Sequence, residues 1–378
     1  MNDMTLSGDL RRLPVRRSRL TLAGPEIPVL GVAIVTFNSA SVILDCLESL
    51  LASRDVRLRI VIVDNNSPDD TVARLRNWAS GLRRYAASPD IPFGIEPCAK
   101  PVWLHETPRP VPLPDGCDLM LIHAGINGGY AAGVNAALSS LAADPAIDRF
   151  WILNPDSVVT PEAARRLALH GGKGARFGIL GGRIAYLDRP DVIQIDGGRI
   201  DWRTGVTYNV NQGRSVDTAP APDPAGFDFI SGASMVVSRH FLDQAGPMPE
   251  HYFLYYEEVE WALRRGDLPL AHCAGALVLH RAGSSIGSPR PGFEGSSLAI
   301  YFRHRNRLRF LRRHRWHSWP GALAFSLAKA GQVAARGHPA KALTLIAASL
   351  GMRPPASVRS ALEPACHAAA FARPARLL

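Results

Sequence analysis

Four apolar segments in the first half of the chain each end abruptly in polar residues, and a segment with helical spacing follows each one. The apolar segments are VLGVAIVTFN (29–38), RLRIVIVDNN (57–66), CDLMLIHAG (117–125) and DRFWILNPD (148–156). Nearly continuous apolar runs are typical of strands buried on both faces of a parallel sheet. The alternation therefore predicts an α/β fold, with a mostly parallel, Rossmann-like sheet flanked by helices.

The pattern changes further along the chain. Short alternating stretches after residue 175 predict a small antiparallel portion, and the chain after residue 296 is predicted to be a helical C-terminal tail. We expect a flexible basic segment over 1–28, one main domain over 29–295 and a helical extension over 296–378. The stretch 85–117 contains eight prolines and predicts an irregular surface insertion.

The chain is basic, with a formal net charge of +10, and much of the excess lies near the start and in YFRHRNRLRFLRRHRW (301–316). Such clusters are either solvated faces or attract phosphates of nucleic acids, anionic lipids or nucleotide sugars. The five cysteines are scattered without a CxxC pair, which predicts a reducing compartment. Since no apolar run approaches about 18 residues, no transmembrane helix is expected. We predict a cytoplasmic protein, with the basic tail as a candidate for peripheral contact at the inner membrane face.

Polar residues recur at the carboxyl ends of the predicted parallel strands, where open α/β sheets bind ligands. These clusters are Thr36–Asn38, Asp64–Asn66, GINGGYAAGVN (125–135) and Asn154–Asp156. Asp64 could accept hydrogen bonds from a base or a ribose, and the glycines could let backbone N–H groups approach phosphate. Asp156 could hold a divalent cation across a diphosphate. Each cluster alone is equally well explained as a turn or a helix cap.

Two further candidates lie in the second half. In HYFLYYEEVEWALRRGD (251–267), Glu257, Glu258 and Glu260 open a predicted helix, where acidic residues are ordinary. The adjacent aromatic residues could raise the pKa of one carboxyl group and make it a general base. His280 ends a predicted strand in GALVLHRAGSS (275–285), and a lone histidine is more often structural than a ligand.

In combination these motifs resemble family 2 glycosyltransferases of the GT-A fold, in particular the bacterial branch of rhamnosyltransferases and galactofuranosyltransferases. The resemblance runs from about Val32 to Arg313. The motifs that carry it are VAIVTFNS, IVIVDNNSPDDT, NGGYAAGVNAAL, WILNPDSVVTPE, ISGASMVVSR, FLYYEEVEWALR, LVLHRAGSS and YFRHRNRLRF.

The resemblance implies a role for each matching residue. Binding of the nucleotide and donor sugar would fall to Thr36, Phe37, Asn38, Asp64, Asn65, Asn127, Tyr130, Gly133, Asn135, Asn154 and Asp156. The acceptor side would comprise Ser231, Gly232, Ala233, Arg303 and Arg305. A divalent cation, Mg²⁺ or Mn²⁺, would be held by Asp156 and His280.

Glu258 matches the family's catalytic base, and Glu257 lies beside it. Two residues depart from the pattern, because Asn154 replaces the first acid of the DxD-like motif and a glutamate replaces the more usual aspartate base. The choice of base between Glu258 and Glu257 therefore stays open.

The implied function is inverting, metal-dependent transfer of a sugar in cell-surface polysaccharide synthesis. The donor would be a nucleotide-diphosphate sugar such as dTDP-rhamnose, and the acceptor a glycan or a lipid-linked glycan. One alternative is galactofuranosyl or other hexosyl transfer on the same fold. A nucleotidyltransferase is a second, but TFNSAS lacks the glycine-rich basic loop expected after its first strand. The third alternative is a non-catalytic protein that binds membranes or nucleic acid. This alternative leaves the strand-end clusters unexplained, so nucleic acid is not an expected partner.

Overall fold

The computed structural model describes residues 27–172, 174–281 and 295–372. The predicted basic segment at the start lies outside the described residues except for its last two positions. The final four residues of the LVLHRAGSS motif, 282–285, also lie outside them.

Five strands in the first half of the chain pair in parallel and form one side of the main sheet, in the order β3-β4-β2-β1-β5. The strands are β1 (Val29–Thr36), β2 (Arg57–Asp64), β3 (Leu104–Thr107), β4 (Leu119–His123) and β5 (Arg149–Leu153). The helices between or after them are α1 (Ile43–Leu51), α2 (Thr71–Ala79), α3 (Tyr130–Ala142) and α4 (Ala163–Leu169). In register, Thr36 lies opposite Asp64, and Asp64 opposite His123. The polar residues after these strands therefore meet at one edge.

The second half extends the same sheet in the order β5-β11-β7-β12-β6, with β8 paired to β7. These strands are β6 (Ser157–Val159), β7 (Ile179–Tyr186), β8 (Arg189–Ile195), β11 (Ser234–Ser238) and β12 (Leu270–His280). Strand β11 runs antiparallel to both of its neighbours, whereas β12 runs parallel to β7. A separate antiparallel pair comprises β9 (Gly198–Ile200) and β10 (Thr207–Asn209). Among the described residues the main sheet has ten strands, which confirms the predicted mostly parallel α/β class with a small antiparallel portion.

Helices dominate after residue 295, as predicted. The remaining helices are α5 (Arg239–Ala245), α6 (Glu257–Leu263), α7 (Ser297–His314), α8 (Trp319–Ala335), α9 (Pro339–Leu350), α10 (Ala356–Arg359) and α11 (His367–Phe371). Short 3-10 helices lie at Pro224–Gly226, Glu250–Tyr252, Trp316–Ser318 and Pro364–Cys366. Ser296 caps α7, since its hydroxyl oxygen accepts a hydrogen bond from the amide of Ala299 at 3.1 Å. No helix in the described ranges is long and apolar enough to cross a membrane, and the peripheral membrane contact stays a prediction.

The core lies on both faces of the sheet, as the continuous apolar strands predict. On β1, Ile34 packs into the cluster that contains α1 and α2, and Val35 faces α3 on the opposite side. Gly133 of α3 packs directly on this strand, because a Cβ atom there would lie 2.6 Å from a methyl carbon of Val35. Burial of one such side chain contributes about 1.5–3 kcal/mol, so both helix layers hold the strand ends in fixed positions.

The proline-rich stretch 85–117 is largely irregular, but it also supplies strand β3 at the sheet edge. Its path is tied to α1 by Lys100, whose Nζ lies 2.9 Å from Oε1 of the buried Glu48. This strand could not be predicted from the sequence, because LHET is short and only half-buried and lies within a proline-rich stretch.

Candidate active site

A cavity of about 580 Å³ opens at the carboxyl ends of the parallel strands. It brings together most of the residues that the sequence singled out. Those that line it are Phe37, Asn38, Asn65, Asn127, Tyr130, Asn154, Asp156, Ser231, Gly232, Ala233, Glu257, Glu258 and His280. The candidate metal ligands and the acidic pair, distant in sequence, therefore share one cavity.

Several candidates lie behind the cavity wall instead. Asp64 is 4% exposed, and its carboxylate accepts hydrogen bonds from the hydroxyls of Thr36 at 2.9 Å and Ser67 at 2.6 Å. The side-chain amide of Asn135 donates to the carbonyl of Met248 at 2.9 Å. These side chains fix the positions of the loops that form the cavity wall. Gly133 contributes through its close packing on β1.

The two arginine candidates, Arg303 and Arg305, lie in different surroundings, and neither lines this cavity. Arg305 of α7 is buried, and its guanidinium donates to the carbonyls of Ala370 at 2.6 Å and Tyr252 at 2.9 Å. It therefore ties the C-terminal end of the chain to the segment before α6. Arg303 lies on a second cavity, described below.

The strand pairing places His280 beside Asp156. Strand β12 pairs antiparallel with β6, and His280 lies opposite Ser157, the residue after Asp156. His280 Nε2 is 3.1 Å from Oδ1 of Asp156 and 3.3 Å from Nδ2 of Asn154. Both Asp156 and His280 are 8% exposed, so this edge of the cavity is nearly closed.

Gln194 fixes the orientation of the His280 ring, and sequence reasoning missed it. Its Oε1 lies 2.9 Å from His280 Nδ1. An amide oxygen can only accept, so Nδ1 is the ring nitrogen that donates a hydrogen bond to Gln194, and Nε2 is the ring nitrogen that faces Asp156. Gln194 lies in β8, where the sequence shows only an alternating strand without a polar cluster.

This arrangement fits a divalent cation. His280 Nε2 and Asp156 Oδ1 lie 3.1 Å apart, close enough for both atoms to contact one cation. No group of three or more His, Cys, Asp or Glu side chains suited to a metal occurs in the described parts of the chain. Asp156 and His280 would supply at most two protein ligands to such a cation, and oxygens of a bound ligand would have to complete the coordination.

The acidic pair follows a turn with unusual backbone geometry. Phe253, Tyr255 and Tyr256 have φ angles of 67°, 67° and 77°, a region that is uncommon for residues other than glycine. Such conformations cost on the order of 1–3 kcal/mol each and persist only where the surroundings hold them.

Asn306 of α7 is the main support of the turn. Its side-chain amide donates to the carbonyls of Leu254 at 2.6 Å and Tyr255 at 3.1 Å. From the other side, the amide of Tyr130 donates to the carbonyl of Phe253 at 2.9 Å. The helical extension and the start of α3 thus fix the position of the acidic pair together.

The two glutamates differ in their surroundings. Glu257 is 3% exposed, and its Oε2 has no hydrogen-bond partner among the described residues, whereas Glu258 is partly exposed to the cavity. Burial raises the pKa of Glu257 well above its usual value, and the neighbouring Glu258 raises it further. Burial also raises the pKa of Glu258, although backbone N–H groups partly offset this. Glu258 is therefore the carboxyl group better suited to be ionised at neutral pH.

Gly129 brings the backbone close to the cavity centre. The amide of Asn65 donates to its carbonyl at 2.9 Å, and its own N–H donates to Oδ1 of Asn127 at 2.9 Å. Its φ is 94°, and a Cβ atom would lie 2.5 Å from the carbonyl oxygen of Phe253, so only glycine fits. Two of the predicted donor-binding asparagines therefore shape the wall as well as lining it.

The end of the helical extension also closes the cavity, which the sequence did not indicate. Ser357, Ala361 and Leu362 contribute to its wall. The side-chain amide of Asn66 donates to Oε2 of Glu363 at 3.0 Å and joins the extension to the loop after β2.

Comparison with known proteins agrees with the motifs. The model of glycosyl transferase family 2 matches residues 31–89, a stretch that includes β2, α1 and α2. This match agrees with the resemblance that the motifs predict.

Two relatives have described activities. The low-salt glycan biosynthesis hexosyltransferase Agl10 of Haloferax volcanii is 26% identical over 204 residues, which cover 50% of this chain and 59% of the relative. An N-acetylglucosaminyl-diphospho-decaprenol L-rhamnosyltransferase of Mycobacterium tuberculosis is 28% identical over 247 residues, 58% of this chain and 75% of the relative. Among solved structures, the mannosyltransferase PcManGT of Pyrobaculum calidifontis with GDP-Man and Mn²⁺ has a TM-score of 0.47 at 14% identity, covering 86% of this chain and 87% of that chain. The chain spans 59% of the length of the hexosyltransferase.

Proposed function

We propose that the protein is an inverting, metal-dependent glycosyltransferase that uses a nucleotide-diphosphate sugar. The observation that carries this proposal is the convergence of Asp156, His280 and the pair Glu257 and Glu258 on one cavity of about 580 Å³. Binding pockets for small ligands usually enclose about 300–1,000 Å³, so a sugar nucleotide fits this volume.

The donor would bind along the strand-end wall. Phe37 and Asn38 offer an aromatic face and an amide near the end of β1, and Asn65 follows β2. The backbone at Gly129 leaves room for a sugar or a phosphate to approach. The diphosphate would lie toward Asp156 and His280, which would hold a divalent cation, Mg²⁺ or Mn²⁺, and such a cation would supply Lewis-acid stabilisation of the leaving diphosphate.

The acceptor would enter on the side of Ser231–Ala233 and the acidic pair. Glu258 accepts the proton of the acceptor hydroxyl as that oxygen attacks the anomeric carbon. The new carbon–oxygen bond forms on the face opposite the bond to the diphosphate, which breaks and leaves with its electron pair, so the configuration inverts. Burial of Glu257 and the raised pKa of its carboxyl keep it protonated beside the ionised Glu258.

The relatives suggest the substrate class. One acts on a diphospho-decaprenol acceptor and transfers L-rhamnose, and the other is a hexosyltransferase of glycan biosynthesis. We extend from these to a hexosyl or deoxyhexosyl donor, with dTDP-rhamnose as the first candidate, and a lipid-linked glycan acceptor. Galactofuranosyl transfer is the alternative within the same mechanism.

A donor panel with thermal unfolding tests the proposed function. The panel comprises dTDP-rhamnose, UDP-galactofuranose, UDP-GlcNAc, UDP-glucose and GDP-mannose, each with Mn²⁺ and each with EDTA. A ligand at about 100 times its Kd stabilises the native state by about 2.7 kcal/mol, which corresponds to a rise in Tm of about 3 °C for a chain of this size. We expect one donor to give this rise with Mn²⁺ and a clearly smaller one with EDTA. Equal Tm values for all donors and for buffer would contradict the proposal.

Gln194→Leu is expected to weaken Mn²⁺ binding by about 10–100-fold, because the His280 ring loses the acceptor that sets its orientation and tautomer. Electron paramagnetic resonance of free Mn²⁺, titrated in the presence of the donor nucleotide, measures this directly. Gln194→Glu is the matched control, since it keeps an acceptor for Nδ1 and should bind Mn²⁺ at least as tightly as the unchanged protein. If Gln194→Leu binds Mn²⁺ with unchanged affinity, Gln194 does not position the ligand.

A further inference from the structure

A second cavity, of about 640 Å³, lies among α7, α8 and α9. Four cationic side chains line it, together with one histidine, and no acidic side chain does so among the described residues. The charged and titratable side chains are Arg303, Arg307, Lys329, Lys341 and His304. A concentration of one sign of charge in a concave site attracts and holds anions.

The Asp201 carboxylate acts on Arg307 through space without forming an ion pair with it. Within the described ranges, no carboxylate oxygen lies within 4.0 Å of a side-chain nitrogen of Arg303, Arg307 or Lys329. Arg307 is 2% exposed. Among the described residues its guanidinium donates to neutral oxygens, the carbonyls of Thr204 at 2.6 Å and Ala322 at 3.5 Å and the hydroxyl of Ser326, while its Nε has no partner there. A buried guanidinium without a counter-ion is unfavourable, so an anion would stabilise this site.

The pKa of His304 reflects the same concentration of positive charge. Burial lowers its pKa to about 3, and the charges of Arg307, Arg303 and Lys329 contribute to this shift. Its Nδ1 is buried without a hydrogen-bond partner in the described part of the chain. The ring therefore stays neutral at physiological pH and adds a polar atom to the wall.

Apart from Thr207, Tyr256 and Gln332, the remaining wall is apolar. It includes Val206, Ile300, Phe325, Val333 and Leu345. A free inorganic anion would not use these side chains, whereas an anion attached to a hydrocarbon chain would bury apolar surface against them.

The second cavity adjoins the candidate active site. Tyr255 and Leu298 line the first cavity, whereas Tyr256 and Ile300, one and two residues further along, line the second. The strained turn before the acidic pair and the first turn of α7 thus form a shared wall. This shared wall would separate a ligand in the second cavity from Glu258.

We propose that the second cavity binds the phosphate or diphosphate of an amphiphile, with the anion on the cationic cluster and the hydrocarbon chain against the apolar wall. Its assignment to the lipid-linked acceptor rests on the proposed function, while binding of the anion does not. The cavity would hold the acceptor's head group next to the turn that precedes the acidic pair.

Isothermal titration of the full chain in EDTA with geranyl diphosphate, inorganic diphosphate and geraniol tests this proposal. We expect geranyl diphosphate to bind at least 10-fold more tightly than either of the others. Arg303→Gln should weaken its binding about 10-fold or more, and Arg303→Lys should restore most of it. Arg312→Gln is the matched control, because Arg312 is exposed on the same helix outside the cavity.

Asp156→Ala separates the two cavities, since it alters the candidate donor site and should leave the binding of geranyl diphosphate unchanged. Loss of binding in Asp156→Ala, or equal effects of Arg303→Gln and Arg312→Gln, would overturn the proposed site. Equal affinities of geranyl diphosphate and inorganic diphosphate would overturn the role of the apolar wall. If no sugar nucleotide binds but geranyl diphosphate does so through Arg303, the proposed function fails and the anion site stands.

Discussion

Asp156→Ala is expected to reduce sugar transfer by at least about 10³-fold, equivalent to about 4 kcal/mol of transition-state stabilisation. The reason is that Asn154 is neutral, so Asp156 supplies the only carboxylate of the Asn-Pro-Asp stretch at this edge of the cavity. Without it, His280 would be left as a single protein ligand for the cation. The backbone carbonyl of Asp156, which accepts from the amide of Arg281 at 3.1 Å, is unaffected by the change, so the loop should keep its conformation.

Metal-dependent hydrolysis of the donor, with Tm as the check on folding, measures the effect of Asp156→Ala. Asn154→Asp provides the matched control at the same edge. It restores a second carboxylate two residues away, and we expect tighter Mn²⁺ binding with activity retained. Metal-dependent turnover by Asp156→Ala at the level of the unchanged protein would remove Asp156 from the metal site.

The strand ends could be predicted because their signal is local. The runs before Thr36, Asp64 and Asn154 are apolar on both faces, so each must be a central strand, and the first polar residue after it must lie at the sheet edge. Parallel pairing then aligns these edges, since β1 and β2 pair in register from Val29 opposite Arg57 to Thr36 opposite Asp64. Sequence pattern and topology together therefore suffice to bring Asp156 near Asn38.

The direction of individual side chains could not be predicted in the same way. Asp64 and Asn65 are neighbours at the end of β2, yet the Asp64 carboxylate turns to Thr36 and Ser67 while Asn65 lines the cavity. A short acidic side chain at a strand end can bond either its own loop or a ligand. The choice depends on the rotamer and on the hydroxyls brought beside it by another strand.

The contacts that supporting residues from distant segments make could not be predicted from the sequence either. Gln194 and Asn306 lie in a strand and a helix whose patterns explain them as ordinary surface or core positions. Their roles arise because β8 pairs with β7 and because α7 packs on the turn before α6, as the 5.1 Å stacking of Phe253 on Phe302 illustrates. Such contacts depend on tertiary packing, which leaves no periodic signal in one sequence.

The same packing accounts for the two arginines that the sequence treated alike. Arg303 and Arg305 are two residues apart on α7, and their side chains therefore point in different directions around the helix. Arg305 bonds the carbonyls of Tyr252 and Ala370 and is structural, whereas Arg303 faces the second cavity. A basic run on a helix thus divides into structural and ligand-facing positions only once its neighbours are known.

Glu258→Gln is expected to lower kcat by about 10²–10⁴-fold, the usual contribution of a general base, with little change in donor affinity. Glutamine keeps the size and hydrogen-bonding geometry of the side chain but cannot take a proton. Glu257→Gln is the matched control, because a protonated Glu257 carboxyl and a neutral amide are similar. It should change kcat by less than about 10-fold.

The dependence of kcat on pH distinguishes the two glutamates. A base works when deprotonated, so activity falls as pH drops through the pKa of Glu258. Burial raises that pKa above the ordinary value of 4.5, and the acidic limb should therefore lie above pH 4.5 and persist in Glu257→Gln. In Glu258→Gln the residual rate should lose this limb. The opposite pattern, an active Glu258→Gln beside an inactive Glu257→Gln whose Tm is unchanged, would assign the base to Glu257, because the buried carboxyl would then have to ionise despite its higher pKa.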